Sequence, residues 1–302
     1  MQILITGGTG FIGRRLVARL LSKGHRLTVL SRRDAEDVHR LLSNEVKSVK
    51  SLSAVNPAVA FDAIINLAGE GVMDERWTSF RKSQLLNSRI TLTSELVDLI
   101  ERMENRPRCL ISGSAIGFYG GRDDAVRLDE SSGAGNDFAA DLCLRWEQAA
   151  RRAEGLGARV CTVRTGVVLH PEGGALHKMM LPFRLGAGGP LGSGKQMMSW
   201  IHMEDMVNTL IFLLENDSAK GVFNATAPEA VSNKDFAVAL AGVLNRPALL
   251  KMPAMVLKCL LGESSEMVLK GQNVYPERLL AEGYQFTHPQ LQPALTQLIN
   301  AV

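Results

Sequence analysis

The 302-residue chain is poor in aromatic residues (5%) and has only four cysteines, Cys109, Cys143, Cys161 and Cys259, with no CxxC among them. A disulfide scaffold and a paired-thiolate metal site are therefore not expected, and the thiols read as small buried apolar groups in a reducing compartment. No apolar run approaches the ~20 residues that span a bilayer, so a membrane partner is not expected. The opening MQILITGGTG lacks a charged n-region and a small-residue cleavage site, and a cytoplasmic location follows as the expectation. With 34 basic against 31 acidic side chains, the net charge of +3 is too small to make nucleic acid the main partner. Internal repeats and low-complexity tracts are missing too. What is present, 46% apolar and 22% charged residues, is a globular composition sufficient for about two domains.

The order of patterns is informative. QILIT (2–6), RLTVL (26–30), DAIINL (62–67), the run near 109–112 and RVCTVR (159–164) read as strands, with a weaker one near 46–49. Helical spacing follows the first strand at Ile12, Leu16, Leu20 and Leu21, and recurs over about 78–104 and 137–154. Strands alternating with helices predict an α/β protein with a Rossmann-like, doubly wound parallel sheet, whose ligands bind at the carboxyl ends of the strands. Past about 170 the pattern changes. Residues 171–196 are glycine-rich with little period, 204–215 and 233–244 read as helices and 222–225 as a strand. The expected division is a dinucleotide-binding domain over 1–170 plus about 197–226, and a smaller C-terminal substrate lobe over about 171–196 plus 227–302.

Gly7, Gly10 and Gly13 form GxxGxxG between the first strand and its helix. The first permits the tight turn, the second lets a pyrophosphate approach the backbone, and the third lets the helix pack on the sheet. The helix N-terminus then offers amide groups to the anion. The second strand ends in Ser31-Arg32-Arg33, where an NAD site usually carries an acid about 20 residues after the glycines. Guanidinium groups suit a 2′-phosphate, so NADP(H) is expected over NAD(H), with Asp34 as the acid if the register is displaced. A second glycine run, Gly189 to Lys195, fits GxxxxGK, but Gln196 replaces the Mg²⁺-binding hydroxyl and no strand precedes it. It reads as a flexible loop near the substrate cleft, with Lys195 available to an anion.

TGGTGFIG (6–13), DAIINLAG (62–69), ISGSAIGFYG (111–120), WIHMEDMVNTL (200–210) and GVFNATAPEAVSNKDFA (221–237) together resemble the extended short-chain dehydrogenase/reductases. DERW (74–77), RTGVVLHPEGG (164–174), PFRLGAGGPLGSGKQ (182–196) and GESSEMVLKGQNVYP (262–276) are similar to its YfcH-like, atypical family 39 subgroup of epimerase-family proteins. That subgroup has a short C-terminal domain, here about 248–302, and an old label as cell-division inhibitors. The resemblance implies NADP binding and an epimerase, dehydratase or reductase type of reaction. It implies that Gly7, Gly10, Phe11, Ile12 and Gly13 line the pyrophosphate, and Leu67, Ala68, Gly69 and Glu70 the adenosine and ribose. Ser112, Thr165, Gly166 and Val167 would lie at the nicotinamide.

The superfamily's chemistry needs a Tyr and a Lys four residues apart on one helical face, the Lys lowering the phenol pKa. Four residues beyond Tyr119, Tyr275 and Tyr284 stand Asp123, Leu279 and His288, so the pair is missing. On DFAADLCLRWE (137–147) the two sites are Phe138 and Leu142 in one register, Ala139 and Cys143 in the next. The candidate catalytic groups that remain are Ser112, Ser114 and Tyr119. Arg89 could supply a cation to the phenol, the cofactor or an anionic substrate. His202 reads as structural, with no donor at ligand spacing for a metal. Two functions stay open: an NADP(H)-dependent oxidoreductase or epimerase acting on a small polar molecule with non-standard catalytic residues, and an NADP(H)-binding sensor or regulator without chemistry. A homodimer through the two long helices is also expected.

Overall fold

The computed structural model describes residues 1–123 and 125–300. Seven strands form one parallel sheet: β1 (Gln2–Thr6), β2 (Arg26–Leu30), β3 (Lys47–Val49), β4 (Ala63–Asn66), β5 (Cys109–Ala115), β6 (Arg159–Thr165) and β7 (Gly221–Ala225). Their order is β7-β6-β5-β4-β1-β2-β3, so the connections reverse direction at β1 and β4 and open a crevice there. Strand side chains alternate between the faces. Ile3, Ile5, Val29, Ile65 and Val163 pack on one side under α1 (Phe11–Ser22) and the helix Met203–Glu215. Leu4, Ile64, Leu110 and Val160 pack on the other. The helices there are α2 (Ser79–Leu86), α3 (Leu92–Arg102) and α4 (Phe138–Arg151). Helices α2 and α3 join through a π turn at Asn87–Thr91, so the single helix expected over about 78–104 carries a wide turn at its centre.

The second lobe differs from its sequence reading. The glycine-rich stretch beyond 170 contains a helix, Gly174–Arg184, with Pro182 inside it. Leu176, Met180 and Phe183 fall on one face of that helix and pack against Phe236, Leu240, Leu295 and Leu298. Two short strands not expected from the pattern, Val167–His170 and Trp200–His202, pair in parallel and lead into this lobe. Leu279 and Tyr284, in contrast, join the core of the main sheet, so the chain after 248 is shared between the lobes. Cys109, Cys143 and Cys161 are buried; Cys259 is exposed, contrary to expectation, because its helix Ala254–Leu261 buries only Leu257. No described helix is long and apolar enough to cross a membrane.

Candidate functional site

The crevice at the β1/β4 switch has a volume of about 750 Å³. Gly7, Gly10, Leu67, Ala68, Gly69 and Glu70 line its floor, and Ser31, Arg32 and Arg33 its far end. The glycines are required by close approach. Gly7 has φ +71°, and a Cβ there would lie 2.5 Å from the Leu67 carbonyl oxygen; at Gly13 it would lie 2.1 Å from the Gly7 oxygen. At Gly10 it would meet only the Gly7 oxygen, at 3.1 Å, and the outer side of the turn is open. No side chain caps α1 at Gly10, which leaves its first N–H groups to a ligand. At the far end Asp34 is paired with Lys50 and is not part of the wall. Glu70, which does line the crevice, is paired with the buried Arg81.

A second cavity of about 300 Å³ adjoins the glycine turn at the carboxyl ends of β5 and β6. Phe11, Ile12, Ser114 and Thr165 line it, with Ala139, Leu142, Cys143 and Trp146 of α4. Of the two registers open for the missing Tyr–Lys pair, Ala139 and Cys143 both face this cavity and Phe138 does not. Burial, with the charge of Glu147, pushes the Cys143 thiol up to about 11, so it is protonated at neutral pH. Gly166 and Val167 lie outside the wall. Gly166 is needed instead where β6 passes the Ser199 carbonyl, 2.8 Å from a Cβ at that position.

Arg89 sits on the π turn and lines the smaller cavity beside Gly69, which lines both. Its Nη2 donates to the Glu70 carbonyl at 2.7 Å, and its guanidinium lies 5.3 Å from the Trp146 ring centre and against Gly69. Among the described residues no carboxylate pairs with it, and burial lowers its pKa. Among the described residues it is the one charged side chain on the wall of the smaller cavity.

The three candidate catalytic residues are not brought together. Ser114 lies on the cavity wall and donates to Glu147 Oε1 at 2.7 Å. Ser112 is fully buried and accepts from Asn66 Nδ2 at 3.3 Å. It stands one strand repeat below Ser114, where Asn66 also donates to Thr93 and covers it. Tyr119 is also off the wall. Its hydroxyl donates to Asn224 Oδ1 at 2.7 Å and accepts from Arg164 Nη1 at 3.0 Å, and burial raises its pKa against the pull of Arg164.

Sequence reasoning missed the ion pair that links Ser114 to Tyr119. Glu147 on α4 and Arg164 on β6, 3% and 4% exposed, form a two-pronged ion pair at 2.8 and 2.9 Å. Burial alone would lower the pKa of Arg164, but Glu147 holds it above the ordinary value. The available signal was the row Ala139, Cys143, Glu147, which puts a carboxylate one helical turn past the two replaced positions.

Two further expectations change. The loop at 189–196 lines neither cavity; Gln196 Nε2 fastens it to the Leu191 and Val268 carbonyls. His202, Glu204 and His288 lie within 4.8 Å of one another, donors that the spacing did not predict because His288 arrives from the tail. His202 Nδ1 already accepts from the Glu204 N–H at 3.1 Å, and His288 faces Glu204 at 3.0 Å.

Comparison with known proteins places this geometry. Residues 3–226 match the model of the NAD dependent epimerase/dehydratase family, and residues 252–298 match a domain of unknown function, DUF1731. The chain is 40% identical over 305 residues to the chloroplastic SDR39U1 homolog of Arabidopsis thaliana, covering 99% of this chain and 87% of that one. The crystal structure of human epimerase family protein SDR39U1 with NADPH superposes at a TM-score of 0.92, with 35% identity and full coverage of both chains. MoeE5, solved with UDP-glucose and NAD, shares the fold at a TM-score of 0.76 and 18% identity over 99% and 98% of the two chains. The glycine turn, the β1/β4 crevice and the C-terminal segment together make this chain a member of the NAD dependent epimerase/dehydratase family, in its SDR39U1-like branch with a C-terminal DUF1731 domain.

Proposed function

We propose that the protein is an NADP(H)-dependent oxidoreductase or epimerase whose substrate occupies the smaller cavity. The observation that carries this reading is the pair Arg32 and Arg33 lining the far end of the crevice, where the cofactor's adenosine ribose would lie. The relative crystallised with NADPH supports it. Gly7, Gly10 and the first N–H groups of α1 hold the pyrophosphate, and Arg32 and Arg33 hold the 2′-phosphate. When bound, the nicotinamide supplies or accepts a hydride.

Ser114 handles the proton. Its own hydrogen points to Glu147 Oε1, so its oxygen can accept from a ligand hydroxyl. In the oxidative direction that hydroxyl donates to Ser114 Oγ, and Ser114 passes its proton to Glu147 Oε1. A second reading, a dinucleotide-dependent sensor without chemistry, is favoured by Ala139 and Cys143 standing on the wall. In that case the protein binds NADPH, yet no ligand of the smaller cavity changes the nicotinamide absorbance.

Thermal-shift titration tests the cofactor. NADPH at 100 times its dissociation constant should stabilise the fold by ~2.7 kcal/mol. Arg32→Ala with Arg33→Ala should weaken NADPH by about tenfold or more, since each charge-assisted contact is worth ~1.5–3 kcal/mol, while NADH changes little. Equal losses for both dinucleotides would overturn the assignment.

A further inference from the structure

Resting on that cofactor reading, we infer that the substrate is a compact apolar carbonyl compound or the corresponding alcohol, and that the C-terminal DUF1731 segment serves to roof its cavity. The wall beyond the glycine turn is formed by Val72, Trp77, Leu142 and Trp146, with Met267 closing it. Its side-chain polar groups are few: the Ser114 and Thr165 hydroxyls, the protonated Cys143 thiol and the Arg89 guanidinium. A nucleotide-linked sugar would bury a diphosphate and a row of hydroxyls against this surface with one cation and two hydroxyls to receive them. Buried polar groups without partners are unfavourable. A ligand with an apolar body and a single oxygen-bearing end leaves nothing unpaired. Arg89, with no carboxylate of its own, and Ser114 are the groups that receive that end.

Met267 belongs to the helix Glu266–Leu269, inside the segment matched to the domain of unknown function. The same region is fastened to the loop that carries Val72 and Trp77. Arg76 donates to the Cys259 and Leu260 carbonyls, and Lys82 Nζ reaches both oxygens of Glu263 at 2.6 Å. Trp77 is fixed in turn by its Nε1 donating to the Val72 carbonyl at 2.8 Å and by a T-shaped contact with Phe138, ring centres 4.9 Å apart. Two stretches of wall far apart in sequence are thereby held as one cover.

The test uses the full chain, with acetophenone as the probe. Stabilisation by NADPH is measured first; its absence would end the cofactor reading and leave this one without a basis. The protein is then saturated with NADP⁺ and titrated with acetophenone while tryptophan emission is followed. Two of the three tryptophans, Trp77 and Trp146, stand in the wall, and Trp200 is fully buried elsewhere. Saturable quenching is expected, unaffected by UDP-glucose. Met267→Glu, at a partly exposed position, should weaken acetophenone by about tenfold or more by placing a carboxylate in the apolar roof, with an NADPH shift like the parent's. Val72→Glu serves as a second variant. Quenching that fails to saturate, displacement of acetophenone by UDP-glucose, or full affinity in both variants would overturn the inference.

Discussion

The buried Glu147–Arg164 pair holds both Ser114 and Tyr119 by hydrogen bonds. Glu147→Ala leaves a guanidinium buried without its carboxylate, and removing one partner of such a pair costs about 3–5 kcal/mol. Urea unfolding of the variant should show a loss of that size, and Glu147→Leu combined with Arg164→Met should recover much of it. Residues whose place is set by local chain geometry were legible in the sequence. Gly7, Gly10 and Gly13 are spaced for one turn, and Ser31-Arg32-Arg33 follows one strand end. Residues whose role is set by what lies across the sheet were not. Glu147 and Arg164 are 17 positions apart and read as ordinary charges, and Ser112 and Ser114 look alike until Asn66 and Thr93 cover the first.

Helix starts fix the cavity walls. Asp137 caps α4, its Oδ1 accepting from the Ala140 N–H at 2.9 Å and its Oδ2 from the Gly121 N–H at 2.8 Å. It therefore joins the helix carrying Leu142 and Cys143 to the loop after Tyr119. Asp137→Ala should cost about 1–2 kcal/mol, with Asp137→Asn retaining part of it, as read from denaturant midpoints. At this scale the strands of the main sheet were legible because each is a short apolar run. The helix Gly174–Arg184 was hidden by Gly173, Gly174 and Pro182, although Leu176, Met180 and Phe183 carry its period. The π turn at Asn87–Thr91 has no signature in composition, and only the place of Arg89 on the wall of the smaller cavity shows its effect.

For the molecule as a whole, pH acts through histidines that the fold keeps neutral. Burial and the Arg15 guanidinium at 3.0 Å bring His170 down to about 4, from 6.5 in the unfolded chain. Between those values the unfolded chain takes up a proton that the native fold refuses, so stability falls as pH drops from about 6.5 to about 4. Burial lowers His25 and His202 as well, in the same sense. Melting temperature should fall between pH 7 and pH 4.5, and His170→Asn should flatten part of the slope; an unchanged slope would contradict the assignment. The end of the strand–helix alternation near 170 was readable in the sequence. The return of Leu279 and Tyr284 to the main core was not, because it depends on a contact with Asp205 that no local pattern announces.

The clasp between the lobes has a consequence for how the chain can vary. Arg76 donates its hydrogen bonds to the backbone oxygens of residues 259 and 260. The grip is indifferent to what those two positions encode, so neutral drift can rewrite them as long as the backbone keeps its course. Arg76 has no such freedom, because the grip is made by its own guanidinium. Tolerance to mutation is thus lopsided across a single contact: permissive on the helix that is held, and restrictive on the loop that holds it.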